Sequence, residues 1–415
     1  MSAKTPSGMR LHIGILGRRN SGKSSLLNAL TGQTVSIVSD TPGTTTDPVK
    51  KPMELHDLGP VLFFDTAGID DSGSIGSLRA QKTERILERL DIGIIVTTPY
   101  EWAEYESYLY NELKNRNIPA IIVINKCDLI EDSPDLFDCL PIIDGAVIKV
   151  SALQSRGLNQ LRQAIIKSAP RFFFDEQVIL ADLVKRGNCA VLVVPVDSEA
   201  PKGRLILPQA QAIRDLLDNH SWSVVTQETE LARVLDSLAV APDLVVTDSQ
   251  AFGVVDKTVP RHIPLTSFSI LFSRLKGDLV TQAQGVRAID ALKNGDHVLI
   301  AEHCTHHPVK DDIGREKIPA LIRSRQGQGI FFDYAQGHNF PEKLKSYQLV
   351  IHCGACTANR REVLSRIQLC TDAGVPITNY GMTIAYCLNI LDRALEPFPD
   401  ALTAYHKALD HAEQK

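Results

Sequence analysis

A run of glycine, lysine and serine residues near the start of the chain has the spacing of a phosphate-binding loop. Gly17, Gly22, Lys23 and Ser24 fit the pattern G-x-x-x-x-G-K-S, between the strand-like HIGIL and the helix-like SSLLNAL. The backbone N–H groups of such a loop attract phosphate, the lysine adds positive charge, and the serine hydroxyl is a ligand for Mg²⁺. The loop residues predicted to bind the nucleotide are Gly17, Asn20, Ser21, Gly22, Lys23, Ser24 and Ser25.

Three further segments indicate that the nucleotide is GTP. Asp65 and Gly68 belong to DTAG, which follows the apolar run VLFF and is suited to hold Mg²⁺ through water beside the γ-phosphate. Asp128 belongs to NKCD, after AIIVI, and its carboxylate can accept hydrogen bonds from N1 and the exocyclic amine of guanine. Adenine cannot supply that pair, so ATP is excluded as the main ligand. The residues predicted to bind or support guanine are Asn125, Lys126, Asp128, Ser151 and Ala152.

These motifs resemble those of the TrmE–Era–EngA class of bacterial GTPases. The resemblance implies that residues 42–47 form switch I and that Thr45 is a second Mg²⁺ ligand, although Thr46 stands where the class usually carries arginine. Asn20 matches an asparagine that helps to bind K⁺ in potassium-stimulated members; a role in loop geometry alone is the alternative. Ile69 cannot orient water as glutamine does in Ras-like proteins, so slow hydrolysis is expected. The residues predicted to position and neutralise the phosphates during hydrolysis are Lys23, Ser24, Thr45, Asp65 and Gly68.

A second set of reactive side chains, cysteines and histidines, follows two predicted strands in the last third of the chain. HVLIAE leads into Cys304, and QLVIH leads into Cys353 and Cys356. Because parallel strands end at one edge of a sheet, three thiolates are expected to converge there. Cys353 and Cys356 have the spacing of two ligands on a turn that enters the helix-like TANRREVLSRIQ, whose dipole favours thiolate.

Several kinds of site fit these residues. A [4Fe–4S] cluster held by three cysteines would leave one iron to a weaker, exchangeable ligand. A structural zinc of Cys₃His type, a thioredoxin-like dithiol at Cys353 and Cys356, and core cysteines without a role are the alternatives. The candidates for a fourth or second-shell ligand are Glu302, His306 and His352. The cysteines interpreted as structural are Cys127, Cys139, Cys189, Cys370 and Cys387.

A P-loop GTPase combined with the pattern C-x-H…H-C-x-x-C resembles the [FeFe]-hydrogenase maturation GTPases of the HydF family, and the resemblance spans the whole chain. The pattern is formed by Cys304, His306, His352, Cys353 and Cys356, and the stretch EHCTHHPVKDDIGREKIP reinforces it. The resemblance implies a scaffold or carrier whose three cysteines hold a [4Fe–4S] cluster. Such a protein accepts a di-iron precursor from two radical-SAM maturases and delivers it to the apo-hydrogenase. The resemblance also implies a homodimer.

The elements that must position these residues are predicted from apolar runs that alternate with helix-like segments along the whole chain, as in layered α/β folds with parallel sheets. The predicted fold class is α/β with three domains. Residues 1–172 form a P-loop GTPase domain with a Ras-like doubly wound sheet, residues 173–264 a middle α/β dimerisation domain, and residues 265–415 a C-terminal α/β cluster-binding domain. Pro208 is expected to lie in the first turn of the helix QAQAIRDLLD.

Composition narrows the possible functions. The net charge of −5 argues against a surface coated by nucleic acid, and no apolar stretch is long enough to span a membrane. The eight cysteines are scattered, which is typical of a reducing cytoplasm. Two other functions stay open. One is a zinc-containing GTPase associated with the ribosome or tRNA, and the other is a redox-sensing GTPase in which Cys353 and Cys356 form a disulfide.

Overall fold

The computed structural model describes residues 5–31, 49–55, 58–65, 84–99, 101–130, 143–174, 178–196, 205–303, 312–341 and 343–413. The chain divides into two compact units, Met1–Glu176 and Gln177–Lys415. Both units are α/β. Within the described ranges, no helix is both long enough and apolar enough to cross a membrane.

The first unit contains a six-stranded sheet in the order β2-β3-β1-β4-β5-β6. All pairings are parallel except that between β2 and β3, which is antiparallel. The strands are β1 Leu11–Leu16, β2 Val49–Leu55, β3 Gly59–Asp65, β4 Ile92–Thr97, β5 Ala120–Ile124 and β6 Ala146–Lys149. The helices are α1 Lys23–Thr31, α2 Glu104–Asn115, α3 Leu158–Ser168 and α4 Arg171–Phe174.

Apolar layers cover both faces of this sheet, which is why its central strands are continuous apolar runs. Leu27 of α1 and Leu161 of α3 belong to the cluster on one face, whereas Leu109 and Leu113 of α2 belong to the cluster on the other. Strands β1 and β4 are buried at every position. Such runs are expected for parallel strands with helices on both sides.

The second unit contains two four-stranded parallel sheets, in the orders β10-β9-β7-β8 and β12-β11-β13-β14. The strands are β7 Cys189–Val193, β8 Trp222–Thr226, β9 Leu244–Thr247, β10 Leu265–Ser267, β11 His297–Glu302, β12 Phe331–Gln336, β13 Leu349–His352 and β14 Ile377–Asn379. The α-helices are α5 Leu207–Asp218, α6 Leu231–Ser237, α7 Phe252–Thr258, α8 Phe268–Lys276, α9 Leu279–Gly285, α10 Ile318–Gln326, α11 Arg360–Ala373, α12 Tyr380–Cys387, α13 Leu391–Leu395 and α14 Pro399–Glu413. A π-helical turn, Ile313–Lys317, leads directly into α10.

The two sheets of this unit share one apolar core, which extends from Ile179 to Tyr405. A buried guanidinium fixes the connection between β9 and β10: Arg393 of α13 forms an ion pair of 2.8 Å with Asp256 of α7 and donates to three backbone carbonyls in residues 259–263. Strand β10 pairs with β9 although it lies beyond the boundary predicted at residue 264. The exact limits of the middle and C-terminal domains therefore stay a prediction.

Candidate nucleotide and cluster sites

Two glycines allow the loop between β1 and α1 to adopt positive φ angles. Gly17 has φ of 130°, and a Cβ atom there would lie 2.2 Å from the carbonyl oxygen of Val96. Gly22 has φ of 89°, and its Cβ would lie 2.2 Å from Nδ2 of Asn125. Any other residue would be strained at either position and would collide with strand β4 at the first or with the loop after β5 at the second.

Lys23 and Ser24 begin α1 at the end of this loop. The buried Nζ of Lys23 donates to the carbonyl oxygens of Gly17 at 2.5 Å and Arg18 at 2.7 Å, which holds the ammonium group over the loop. Ser24 Oγ donates to Asp65 Oδ2 at 3.1 Å. Because β1 and β3 are adjacent parallel strands, the two side chains predicted to act at Mg²⁺ lie together at their carboxyl ends.

The residues predicted to bind guanine form a connected group. Asn125 Nδ2 donates to the backbone carbonyl of Ser21 at 2.9 Å, and its Oδ1 accepts from the backbone N–H of Ala152 at 3.1 Å. Ser151 Oγ donates to Asp128 Oδ1 at 2.5 Å. Lys126 adopts a left-handed backbone with φ of 60°. Asn125 therefore links the phosphate-binding loop to the loop predicted to support the base.

The structure adds to the prediction for Asn20. Its φ is 63°, in the left-handed region that asparagine tolerates better than most residues. Loop geometry alone is thus a sufficient reason for asparagine here, and a role in binding K⁺ stays a prediction. Thr45 and Gly68, together with Thr46 and Ile69, lie outside the described residues.

The carboxyl ends of β11, β12 and β13 meet at one edge of the third sheet, where Cys353 directly follows β13. Sγ of Cys353 accepts hydrogen bonds from the backbone N–H groups of His303 at 3.1 Å and Ala355 at 3.4 Å. Donors of this kind stabilise a thiolate. Cys304 and His306 lie outside the described residues, so the predicted convergence of three thiolates stays a prediction.

The helix after Cys356 begins later than predicted. Helix α11 starts at Arg360, and the side chain of Asn359 caps it by accepting from the backbone N–H of Glu362 at 3.1 Å. The predicted helix is thus present, with its cap at the third residue of the segment TANRREVLSRIQ. The helix dipole acts mainly within the first turn, so its effect on Cys356 is smaller than expected.

A buried lysine supplies positive charge to this loop instead. Lys276, at the end of α8, is 3% exposed, and its Nζ donates to the carbonyl oxygens of Ala355 at 3.3 Å, Cys356 at 2.8 Å and Ala358 at 2.9 Å. Burial lowers the pKa of Lys276 to about 8, an effect that negative charge on Cys356 and Cys353 opposes. Sequence reasoning missed this residue.

His352, a candidate ligand, is engaged through both ring nitrogens. Its Nδ1 donates to the carbonyl oxygen of Cys353 at 2.8 Å, and its Nε2 accepts from Nη1 of Arg366 at 2.9 Å. Burial, together with the guanidinium of Arg366, lowers the pKa of His352 to about 3, so the ring is neutral. This arrangement favours a second-shell role over that of a fourth ligand.

Glu302, another candidate ligand, is buried in a polar group of its own. It accepts from Tyr380 Oη at 3.3 Å and from Gln336 Nε2 at 3.2 Å, and Arg315 lies 3.6 Å away. A Cβ atom on Gly314 would lie 2.2 Å from Tyr380 Oη, so the π-helical turn packs tightly against this group. To bind a metal, Glu302 would have to exchange one of these partners.

Several of the cysteines interpreted as structural have the protonation expected for that role. Burial raises the pKa of Cys370 to about 12 and that of Cys387 to about 11, and it also raises the pKa of Cys189. Buried thiols of this kind are weak metal ligands at neutral pH because the thiolate is the ligand. Cys127 lies in the guanine loop, and Cys139 lies outside the described residues.

A parallel sheet with a phosphate-binding loop after β1 and a guanine motif after β5 defines the class of P-loop GTPases. Residues 12–126 match the family model described as 50S ribosome-binding GTPase. Residues 179–277 match the hydrogen maturase F dimerization domain, and residues 280–397 match the hydrogen maturase F tetramerization domain. These two matches together cover more than half of the chain, and the chain belongs to the hydrogen maturase F family. The predicted resemblance and the predicted fold class are confirmed, and the domain types support a homo-oligomer.

The similarity to curated proteins concerns the GTPase domain. GTPase Der of Wolinella succinogenes is 34% identical over 179 residues, which are 41% of this chain and 37% of that protein. The tRNA modification GTPase MnmE of Thermosynechococcus vestitus is 33% identical over 165 residues, which are 38% of this chain and 35% of that protein. The chain therefore spans well under half the length of these relatives. Among solved structures, Aquifex aeolicus Era bound to GDP·AlF₄⁻ shares 22% identity at a TM-score of 0.33, over 52% of this chain and 91% of that one.

Lys276→Met tests whether the lysine organises the loop that carries Cys353 and Cys356. Three carbonyl oxygens would lose a charged donor in a buried place, so we expect the free energy of unfolding of the second unit to fall by about 2 kcal/mol or more. Urea titration of the cluster-free chain, followed by circular dichroism, measures this. Lys257→Met, on the exposed surface of α7, is the matched control and should leave the midpoint unchanged. Equal midpoints for both variants would show that Lys276 does not hold the loop.

Proposed function

We propose that this chain is a GTP-hydrolysing scaffold that binds a [4Fe–4S] cluster and carries the di-iron fragment of the [FeFe]-hydrogenase active site. The observation that carries the proposal is the hydrogen bond from the backbone of His303 to Sγ of Cys353. Cys304 is the next residue of the chain after His303. Cys353 thus contacts the residue that precedes Cys304, at the edge where an α/β sheet binds its ligand.

The residues around Cys353 and Cys356 fit an iron–sulfur cluster. Cysteine thiolates are the usual ligands of such clusters, and positive charge and hydrogen bonds to the sulfurs set their properties. Lys276 and the N–H groups of His303 and Ala355 supply both. If three cysteine thiolates hold the cluster, one iron is left with an exchangeable ligand.

The nucleotide unit acts, in this proposal, as the switch. Lys23 neutralises phosphate charge, and Ser24 and Asp65 hold the metal that accompanies GTP; Thr45 and Gly68 complete the site as the switch residues. Loss of the γ-phosphate would release the segments around Thr45 and Gly68. The change would alter docking between domains or partners and would leave the iron chemistry to the second unit.

The partners proposed are the two radical-SAM maturases, the apo-hydrogenase and further copies of this chain. Strand β8 is an edge strand of the second sheet and exposes two large side chains, Trp222 at 47% and Val225 at 44%. An exposed edge can pair with an edge of another chain. This supports assembly through the middle domain, in agreement with the dimerization model that matches there. No nucleic-acid partner is proposed.

Anaerobic purification tests the scaffold against the two other functions. We expect the wild-type chain to contain iron and sulfide in equal amounts, and Cys353→Ser and Cys356→Ser each to lose most of both. Cys387→Ala is the matched control and should keep them, because its thiol is buried and protonated. Zinc in place of iron would favour the ribosome- or tRNA-associated GTPase. A metal-free chain with a Cys353–Cys356 disulfide would favour the redox sensor.

Asn20→Gly tests the K⁺ hypothesis more cleanly than alanine would. Glycine keeps the left-handed backbone and removes only the side-chain amide, whereas alanine would also strain the loop. We expect K⁺ to accelerate GTP hydrolysis over Na⁺ in the wild-type chain and the difference to vanish in Asn20→Gly. Steady-state phosphate release in each salt is the measurement. A variant that still responds to K⁺ would show that asparagine serves loop geometry alone.

A further inference from the structure

A second group of metal-binding side chains lies at the carboxyl edge of the third sheet, and it contains no cysteine. His303 follows β11, His338 lies in the loop after β12, and Glu362 lies in the first turn of α11. One ligand atom from each lies within 4.8 Å of the other two. The three side chains come from distant parts of the sequence, and the parallel sheet brings them together.

The polar atoms of this group are only partly paired with one another. His338 Nδ1 donates to Glu362 Oε1 at 2.8 Å, whereas His303 Nε2 lies 3.6 Å from Glu362 Oε2, beyond hydrogen-bond distance. The rings of His303 and His338 meet edge to face with centroids 5.0 Å apart. Nδ1 of His303 is buried and has no hydrogen-bond partner among the described residues. A purely structural role would explain the hydrogen bond of His338. It would leave the imidazole of His303, which is 7% exposed, with too few hydrogen bonds.

The chemical types of the three side chains suit a cation. A metal ligand must offer a lone pair, which an imidazole nitrogen and a carboxylate oxygen can both do. Two imidazoles and one carboxylate form a ligand set that zinc and ferrous iron accept in proteins.

We propose that His303, His338 and Glu362 form a second metal site, separate from the cysteine ligands, for one divalent first-row transition ion such as Zn²⁺ or Fe²⁺. Mg²⁺ and Ca²⁺ are disfavoured because they prefer oxygen ligands. Three protein ligands leave a coordination position open for an exogenous ligand. Arg366, which lies 3.4 Å from Glu362 Oε1, adds a like charge that weakens binding and keeps the ion exchangeable.

Co²⁺ titration of the full-length chain under anaerobic conditions tests this site. Co²⁺ bound to nitrogen and oxygen gives weak visible bands, whereas thiolate ligation adds an intense charge-transfer band in the near ultraviolet. We expect one Co²⁺ with the first signature in the wild-type chain. A partner that only orients a metal ligand contributes about 10–100-fold in affinity, so loss of a direct ligand in His338→Ala should weaken binding by about 100-fold or more.

His297→Ala is the matched control, since His297 pairs with Asp333 at 2.9 Å on the exposed surface of the same sheet and should not affect Co²⁺. The His338 side chain is 37% exposed, so its truncation is compatible with folding. Glu362→Gln provides a second test, with circular dichroism to verify its fold. Unchanged Co²⁺ affinity in His338→Ala would overturn the proposal. A wild-type chain that binds no Co²⁺, or binds it only with the thiolate charge-transfer band, would overturn it as well. A chain that lacks the iron–sulfur cluster but keeps the His338-dependent signal would refute only the proposed scaffold.

Discussion

Parallel pairing is the constraint on which both sites depend, because every strand of a parallel sheet ends at the same edge. In the first unit, this brings the loop after β1 next to Asp65 at the end of β3 and to Asn125 after β5. In the second unit, it brings His303 next to Cys353, although they are fifty residues apart in the chain. Functional side chains that are far apart in the sequence are thereby brought together by the sheet itself.

Buried charges then fix the loops that the sheet has brought together. Arg366 donates to His352, to the carbonyl oxygen of Gly337 and to Glu362, and thus ties the loop after β12 and the end of β13 to α11. Lys276 does the same for the turn that contains Cys356. Removing one member of such a group leaves a buried partner without compensation, which is costly, so these loops are held in one arrangement. A site that must present thiolates to a large inorganic ligand benefits from this preorganisation.

The sequence predicted what depends on local pattern. The continuous apolar runs predicted the buried parallel strands, and Pro208 lies in the first turn of its helix, as expected. Strands β2, β8, β10 and β14 were missed. All four are edge strands; β2 and β8 are partly polar and exposed, and β10 and β14 are only three residues long. Lys276, His338 and Glu362 were missed because a single polar residue on an amphipathic helix or loop normally faces solvent. Only the tertiary fold reveals that Lys276 and Glu362 are buried and that His338 pairs with Glu362.

The proposed function requires the carboxyl edge of the third sheet to supply three thiolates to one iron–sulfur cluster. Mössbauer spectroscopy of the ⁵⁷Fe-reconstituted chain tests this most directly, because an iron without a thiolate ligand has its own isomer shift. We expect a [4Fe–4S] spectrum in which one iron differs from the other three. Four equivalent irons, or iron bound as single ions, would contradict it.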